Sequence, residues 1–220
     1  MNKFLRENGL TVALLGIFLF SLAGHVIAGR LEYNSEQVSH GGSTVSFWGY
    51  VSTGHFQESL FENWESEFLQ MAAFVLLTIF LRQRGSSESK KFGRDTMDED
   101  PRRARNRSSA PWPVRRGGWV LRLYESSLSI ALSALFLFSF WMHAWSGSRA
   151  QRENALQHGE QPVGSVAEYL TTSKFWFESF QNWQSEFLSV AALVVLSIYL
   201  RQRGSSQSKP VAAPHHETGE

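Results

Sequence analysis

Histidine and glutamate residues recur at matching positions in the two halves of this 220-residue chain. His25 and His143 lie in apolar segments, and Glu67 and Glu186 lie in two copies of one motif. Imidazole and carboxylate groups bind divalent metals, relay protons and hydrogen-bond to one another. The sequence therefore predicts one polar layer with six members: His25, Asn63, Glu67, His143, Asn182 and Glu186.

Three functions of this layer stay open. A structural lock between the two halves is favoured, because buried polar groups usually satisfy one another. A divalent-metal site and a proton or cation pathway are the alternatives. A haem between His25 and His143 is disfavoured, since such pairs in helical bundles are more often structural. We predict no cofactor, and a bound divalent metal is the one alternative.

The composition argues against several classes of enzyme. The chain has no cysteine, which excludes disulfides, thiolate metal sites and a cysteine nucleophile. Phosphate-binding glycine loops, the serine hydrolase elbow and zinc-protease motifs are also absent from the sequence. The net charge of +1 gives no general case for binding nucleic acid. The sequence does not decide whether the protein is an enzyme, and it favours a protein without enzymatic activity.

Four apolar segments must position the polar layer. Leu10–Ala28 and Leu128–Trp145 match the ~20 residues that a helix needs to cross a bilayer. Phe68–Leu81 and Phe187–Leu200 are shorter, but aromatic residues at helical spacing extend both segments upstream. We therefore expect four transmembrane helices.

The second half of the chain repeats the first. Phe61–Lys90 aligns without gaps on Phe180–Lys209, with 21 identities in 30 positions at an offset of 119. Because the copy of the first apolar segment is internal, a retained helix is favoured over a cleaved signal peptide. The sequence thus predicts an all-α fold, an integral membrane four-helix bundle made of two tandem, parallel two-helix repeats.

The predicted boundaries follow from the repeat and from composition. The central segment is polar, charged and rich in Ser, Pro and Gly, which is typical of disorder. The prediction comprises a first repeat 1–84 with helices about 5–28 and 56–84, a disordered basic linker 85–118, a second repeat 119–203 with helices about 122–145 and 174–203, and a disordered tail 204–220.

Basic residues set the predicted orientation. Seventeen of the 21 Lys and Arg residues lie in three stretches: residues 3–6, residues 82–122 around the central linker, and residues 201–209 at the start of the C-terminal tail. The positive-inside rule then places both termini in the cytoplasm. Trp64 and Trp183 are expected to be interfacial anchors. Ion pairs between helix ends are expected at the cytoplasmic surface, from Glu7, Glu125, Arg82, Arg84, Arg201 and Arg203.

The motif F-x-N-W-x-S-E-F-L occurs twice, and each copy is followed by L-R-Q-R-G-S-S. With these motifs the chain resembles a bacterial family of small integral membrane proteins known only as a domain of unknown function. The resemblance covers about Phe4–Lys90 and Tyr124–Lys209. It implies a bacterial inner-membrane location and brings no activity, cofactor or site residue.

These observations predict a multi-pass inner-membrane protein of unknown activity, most simply a non-enzymatic structural or ion-binding module. A small proton or cation transporter or channel using the paired His and Glu is one alternative, and a metal-binding membrane enzyme is another. The lipid bilayer is the expected partner, with self-association through small-residue faces and contact of the basic linker with anionic lipid as further expectations. Nucleic acid is disfavoured.

Overall fold

The computed structural model describes residues 3–93, 100–159, 161–162 and 164–219. Over these residues the chain is helical, with turns and no strand, which confirms the predicted all-α class. The helices are α1 Lys3–Ser39, α2 Phe47–Val51, α3 Gly54–Phe80, α4 Trp112–Arg116, α5 Gly118–Glu125, α6 Ser127–His158, α7 Val166–Tyr169 and α8 Ser173–Tyr199.

The helices form two series in the same order. A long helix, a short helix and a second long helix follow one another in α1–α2–α3 and again in α6–α7–α8. The last helix of each series, α3 or α8, has 27 residues. The predicted two-helix units thus each contain a short third helix that hydropathy did not indicate.

The first helix of each series extends beyond its apolar segment. α1 continues to Ser39 where the sequence predicts an end at about 28, and α6 continues to His158 rather than 145. The added segments contain no proline, so nothing in them stops a helix. Each helix ends just before a glycine with positive φ, Gly41 at 77° or Gly159 at 69°, a typical helix terminator.

The second long helices end earlier than predicted. α3 stops at Phe80 and α8 at Tyr199, ahead of the arginine-containing segments. There a serine hydroxyl accepts a backbone N–H, from Gln83 in the first copy and from Gln202 in the second, each at 2.9 Å. These hydrogen bonds hold the chain in a loop, so the predicted ends at 84 and 203 lie outside the helices.

The chain divides into two compact units. Unit 1 contains Met1–Phe61 and Trp141–Phe175, and unit 2 contains Glu62–Phe140 and Trp176–Glu220. The core of unit 1 includes Val26, which packs with aromatic residues of α2 and α3. Unit 1 holds both short helices α2 and α7, whereas unit 2 holds the loops that follow α3 and α8.

Unit 2 has a mainly apolar cavity and a polar set of loops. A cavity of about 450 Å³ lies between α3 and α8 and is lined mainly by apolar residues such as Phe74 and Val190. In the loops, the Ser86 hydroxyl lies 2.9 Å from that of Ser197, and the Gly85 N–H donates to the Thr218 hydroxyl at 2.8 Å. The C-terminal segment therefore packs on the loop that follows α3.

The predicted linker and tail are described in part. Residues 94–99 and 220 lie outside the described residues, and so do residues 1–2 of the first repeat. Within the linker, α4 is followed by Gly117, which has a φ of 71°. In the tail, the Lys209 ammonium donates to three backbone carbonyls. The predicted disorder of 85–118 and 204–220 stays a prediction.

Two of the described helices, α1 and α6, are long and apolar enough to cross a membrane. Their apolar side chains are widely exposed, including Phe20 at 81% and Leu137 at 62%. A surface of this kind is costly in water and ordinary in lipid.

Candidate functional site

Both short helices of unit 1 begin in the same way. α2 follows Ser46 and α7 follows Ser165, and each serine hydroxyl accepts the backbone N–H three residues further along. Such caps satisfy backbone donors that the first helical turn leaves unpaired. The caps position one buried tyrosine on each short helix, Tyr50 on α2 and Tyr169 on α7.

Each tyrosine packs against a glycine of a long helix. Tyr50 contacts Gly29 of α1, and Tyr169 contacts Gly147 of α6. A Cβ added at either glycine would overlap the tyrosine hydroxyl. Glycine is therefore the residue that permits this approach of ring to backbone.

One turn before each glycine lies a histidine of the predicted polar layer. The Nε2 atom of His25 lies 2.8 Å from the Ser59 hydroxyl, and its ring centroid lies 5.2 Å from that of Phe56. His143 is fully buried, with its ring centroid 4.8 Å from that of Phe175. The two histidines thus have equivalent aromatic neighbours, and His25 has a serine as its hydrogen-bond partner.

The hydroxyl of Tyr50 faces a histidine. It lies 3.3 Å from Nδ1 of His55, and both rings pack against Tyr33 with centroid distances of 5.6 and 5.4 Å. Burial raises the pKa of Tyr50, and the negative charge of Glu32 raises this pKa further. Tyr50 therefore remains a neutral phenol that can donate or accept one hydrogen bond.

The hydroxyl of Tyr169 instead faces a carboxylate. It donates to Oε1 of Glu58 at 2.8 Å, and the Lys174 ammonium donates to the same oxygen at 2.7 Å. Glu58 is only 8% exposed. Two donors on one oxygen, one of them charged, satisfy a carboxylate that would be costly to bury alone.

Next to Glu58, unit 1 contains a polar cavity of about 340 Å³. The ends of α1 and α6, the start of α3, and Lys174 near the start of α8 contribute to its wall. Its ionisable lining residues are Tyr33, Glu36, His55, Glu58, Glu153 and Lys174. The amide side chains of Gln37 and Gln157 close one edge with a hydrogen bond of 3.2 Å.

The residues of the predicted polar layer divide between the two units. His25 and His143 belong to unit 1, whereas Glu67 and Glu186 belong to unit 2. Within unit 2, Glu67 is exposed and Glu186 half-buried, and the two carboxylates are close enough for their charges to interact. The joint layer stays a prediction.

One asparagine side chain of the layer bonds to its own helix. The Asn182 side-chain amide donates to the Glu178 carbonyl at 3.1 Å, whereas at Asn63 the backbone carbonyl accepts the Ser66 hydroxyl at 2.8 Å. Asn63 is an exposed residue and Asn182 half-buried. These backbone contacts are local and are typical of polar residues on a helix surface.

The buried glutamate of the first motif copy is Glu65. It is fully buried and accepts a hydrogen bond of 2.9 Å from the indole N–H of Trp183. Trp64 and Trp183, expected to be interfacial anchors, are both half-buried. The indole of Trp183 thus has a defined polar partner in unit 2.

The residues expected to form cytoplasmic ion pairs have varied local contacts. Glu7 lies 3.8 Å from the Lys3 ammonium, the Arg84 guanidinium lies over the Phe92 ring, and Arg201 donates to backbone carbonyls at the end of α8. Arg82 lines the apolar cavity of unit 2, Glu125 lines a smaller cavity there, and Arg203 is exposed. The cross-helix pairing stays a prediction.

The polar cavity involves residues that the sequence reasoning passed over. Glu58 and His55 belong to the first repeat, and their equivalents at an offset of 119 are Phe177 and Lys174. A comparison that looks only for identical residues overlooks positions at which the two copies differ in charge. Here such positions lie immediately before the segment Phe61–Lys90, which matches its copy best.

Comparisons with known proteins identify the family of the chain. Neither a curated protein nor a solved structure matches the chain. One family model, described as a domain of unknown function (DUF6766), matches residues 1–220. This match covers the whole chain, and the protein therefore belongs to the DUF6766 family.

Proposed function

We propose that this protein is a non-enzymatic, multi-pass protein of the bacterial inner membrane that binds a small polar ligand at its extracytoplasmic end. One observation carries the proposal. The two helices that are long and apolar enough to cross a membrane, α1 and α6, also line the polar cavity with residues beyond their apolar segments. Membrane anchor and candidate binding site thus belong to the same helices.

The repeated hydrogen bonds support an origin by tandem duplication. Thr53 and Thr172 each donate to the carbonyl of the preceding short-helix tyrosine at 2.7 Å. The serine caps and the tyrosine–glycine contacts also recur at equivalent positions. Duplication of a two-crossing unit yields copies that run parallel through the membrane.

We place α3 and α8 across the membrane as well. Each has 27 residues, which corresponds to about 40 Å at ~1.5 Å per residue, more than the ~30 Å hydrocarbon core. Their first turns carry the polar residues of unit 1, and their later turns surround the apolar cavity of unit 2. This pattern suits a helix that starts at the interface and then enters lipid.

The orientation follows from the basic residues, with both termini and the linker in the cytoplasm. Ser43 and Ser108 are both exposed, and the chain has no cysteine of its own. In intact cells, an impermeant maleimide is expected to label the Ser43→Cys variant and to leave Ser108→Cys unlabelled until lysis. Labelling of Ser108→Cys alone in intact cells would overturn the proposed orientation.

Cation or proton transport is the second candidate. It is favoured by the proximity of Glu67 and Glu186, two carboxylates on helices that we place in the membrane. In proteoliposomes, this candidate requires a proton or cation flux that the double variant Glu67→Gln/Glu186→Gln abolishes. Wild-type vesicles without flux, made from protein that is correctly folded, would exclude transport and leave the binding proposal intact.

A further inference from the structure

The polar cavity of unit 1 contains more negative than positive charge. Glu36, Glu58 and Glu153 contribute carboxylates, and Lys174 is its one lysine or arginine among the described residues. Lys174 pairs with Glu58 at 2.7 Å. Two carboxylates are thus left for other partners in the cavity wall.

These two carboxylates lie near one phenol. Glu36 and Glu153 are both close enough to Tyr33 for their charges to act on its hydroxyl. Glu153 also lies 3.8 Å from the Arg149 guanidinium, a long and partly exposed contact. Glu36 has no hydrogen bond or ion pair to its carboxylate within the described part of the chain. The strongest free acceptor of the cavity is therefore Glu36.

A neutral acceptor lies in the same wall. The Oε1 atom of Gln151 is shielded from solvent and has no hydrogen-bond partner among the described residues. A buried carbonyl oxygen without a donor costs free energy, unless a bound molecule supplies the donor. The Gln151 side chain lines the cavity, so a rotation that turns Oε1 towards the cavity would let an N–H or O–H group of a ligand donate to it.

The lining favours an organic cation over a metal ion. Calcium takes six to eight oxygen ligands in one shell, whereas Oε1 of Glu58 is already engaged by a lysine and a tyrosine. An organic amine needs only one carboxylate and a few acceptors.

We propose that this cavity binds a small organic amine, with its ammonium group at Glu36 and an N–H or O–H group donating to Gln151. The volume of about 340 Å³ lies at the lower end of the range of ~300–1,000 Å³ for small-molecule sites. The inference rests on the proposed binding function and names its ligand class.

Isothermal titration of the detergent-purified full chain tests the proposal, with 1,4-diaminobutane as the probe. The wild-type protein is expected to bind the diamine and not 1,4-butanediol, which has the same length without charge. The variant Glu36→Gln is expected to weaken binding by roughly tenfold or more, because the charged partner of the ammonium is lost. Gln151→Met, of similar size, removes the neutral acceptor and is expected to weaken binding less.

Glu32→Gln is the matched control. Glu32 lies one turn before Glu36 on α1, is exposed and does not line the cavity. Unchanged binding in Glu32→Gln together with loss in Glu36→Gln supports the site. Equal losses in both variants would indicate unspecific attraction to negative charge and would overturn it. The same holds for a wild-type protein that binds Ca²⁺ but not the diamine.

The two proposals fail in distinguishable ways. Absence of diamine binding, with cysteine labelling as expected, rejects the amine site and keeps the membrane protein with its proposed orientation. Reversed labelling with intact diamine binding rejects the orientation and keeps the site, which would then face the cytoplasm.

Discussion

Tyr50 and Tyr169 share the same backbone arrangement, but their hydroxyl groups have different hydrogen-bond partners. In both, a serine-capped short helix holds a buried tyrosine against a glycine of a long helix. The Tyr50 hydroxyl meets the imidazole of His55, whereas the Tyr169 hydroxyl meets the carboxylate of Glu58. The backbone frame is thus common to both copies, and the polar partners differ where the side chains approach the cavity.

The comparison also bears on the asymmetry of the polar cavity. Glu58 comes from the first copy and Lys174 from the second, and the two residues form one ion pair in unit 1. Neither copy carries both residues, because the equivalents of Glu58 and Lys174 are Phe177 and His55. If the chain arose by the proposed duplication, the ion pair formed through later divergence of the two copies.

The largest expected effect concerns the two glycines. A Cβ at Gly147 would lie within 2.6 Å of three atoms of Tyr169, two of them in the ring, whereas at Gly29 only the Tyr50 hydroxyl is closer than 3.0 Å. We expect Gly147→Ala to lower the free energy of unfolding by about 3 kcal/mol and Gly29→Ala by about 1 kcal/mol. Chemical unfolding in detergent micelles measures both values.

Equal losses of unfolding free energy in Gly147→Ala and Gly29→Ala would show that both tyrosines move aside equally. The predicted difference between the two tyrosine–glycine contacts would then be wrong. Gly16→Ala is the control, since no atom of another residue lies within 4 Å of a Cβ at that position of α1. We expect it to leave the free energy of unfolding unchanged or slightly raised, because alanine is the better helix former.

An intermediate effect is expected for the two tyrosine hydroxyls. Tyr169→Phe removes a hydrogen bond of 2.8 Å to a buried carboxylate, and Tyr50→Phe removes a longer one of 3.3 Å to an imidazole. We expect a loss of about 2 kcal/mol for Tyr169→Phe and about 0.5 kcal/mol for Tyr50→Phe. The same unfolding assay compares the two variants directly.

In the double variant Tyr169→Phe/Glu58→Gln, the loss should be smaller than the sum of the single losses, because the two side chains interact. Strict additivity would contradict a hydrogen bond between them. No such coupling is expected between Tyr50→Phe and Glu58→Gln.

The smallest effect is expected for the ion pair of Lys174 with Glu58. The lysine side chain is 42% exposed, so water and salt weaken the interaction. We expect Lys174→Met, which keeps the aliphatic stem, to cost at most about 0.5 kcal/mol at low salt and less at high salt. A loss that does not change with salt would assign the effect to packing instead of charge.

The sequence predicted the helical class and the helices that hold the cavity, because apolar periodicity reports directly on burial or lipid contact. It did not predict where these helices end. The polar continuation of α1 to Ser39 has no apolar signal, and only the left-handed Gly41 marks its limit. Hydropathy measures the apolar segment, whereas helix length depends on terminators.

The sequence predicted the partners of the polar side chains less well. The predicted polar layer takes Asn63 and Glu67 from α3, and both are exposed, whereas Glu65 and Ser66 are buried. Where apolar residues occur on every side of a helix, periodicity alone does not show which polar residue faces the rest of the protein. The partner of Glu58 required knowledge of which segments meet across more than a hundred residues of sequence.

The extension of α1 beyond its apolar segment has a consequence for how a ligand would reach this protein. The helix continues without interruption from Ala28 to Ser39, a rise of about 16 Å at ~1.5 Å per residue. If the apolar segment lies in the bilayer, the cavity residues Tyr33 and Glu36 lie on the continuous part of α1 that extends beyond the hydrocarbon core. With the proposed orientation and ligand class, a charged ligand would arrive by diffusion through water, and its solubility in lipid would play no part in selection.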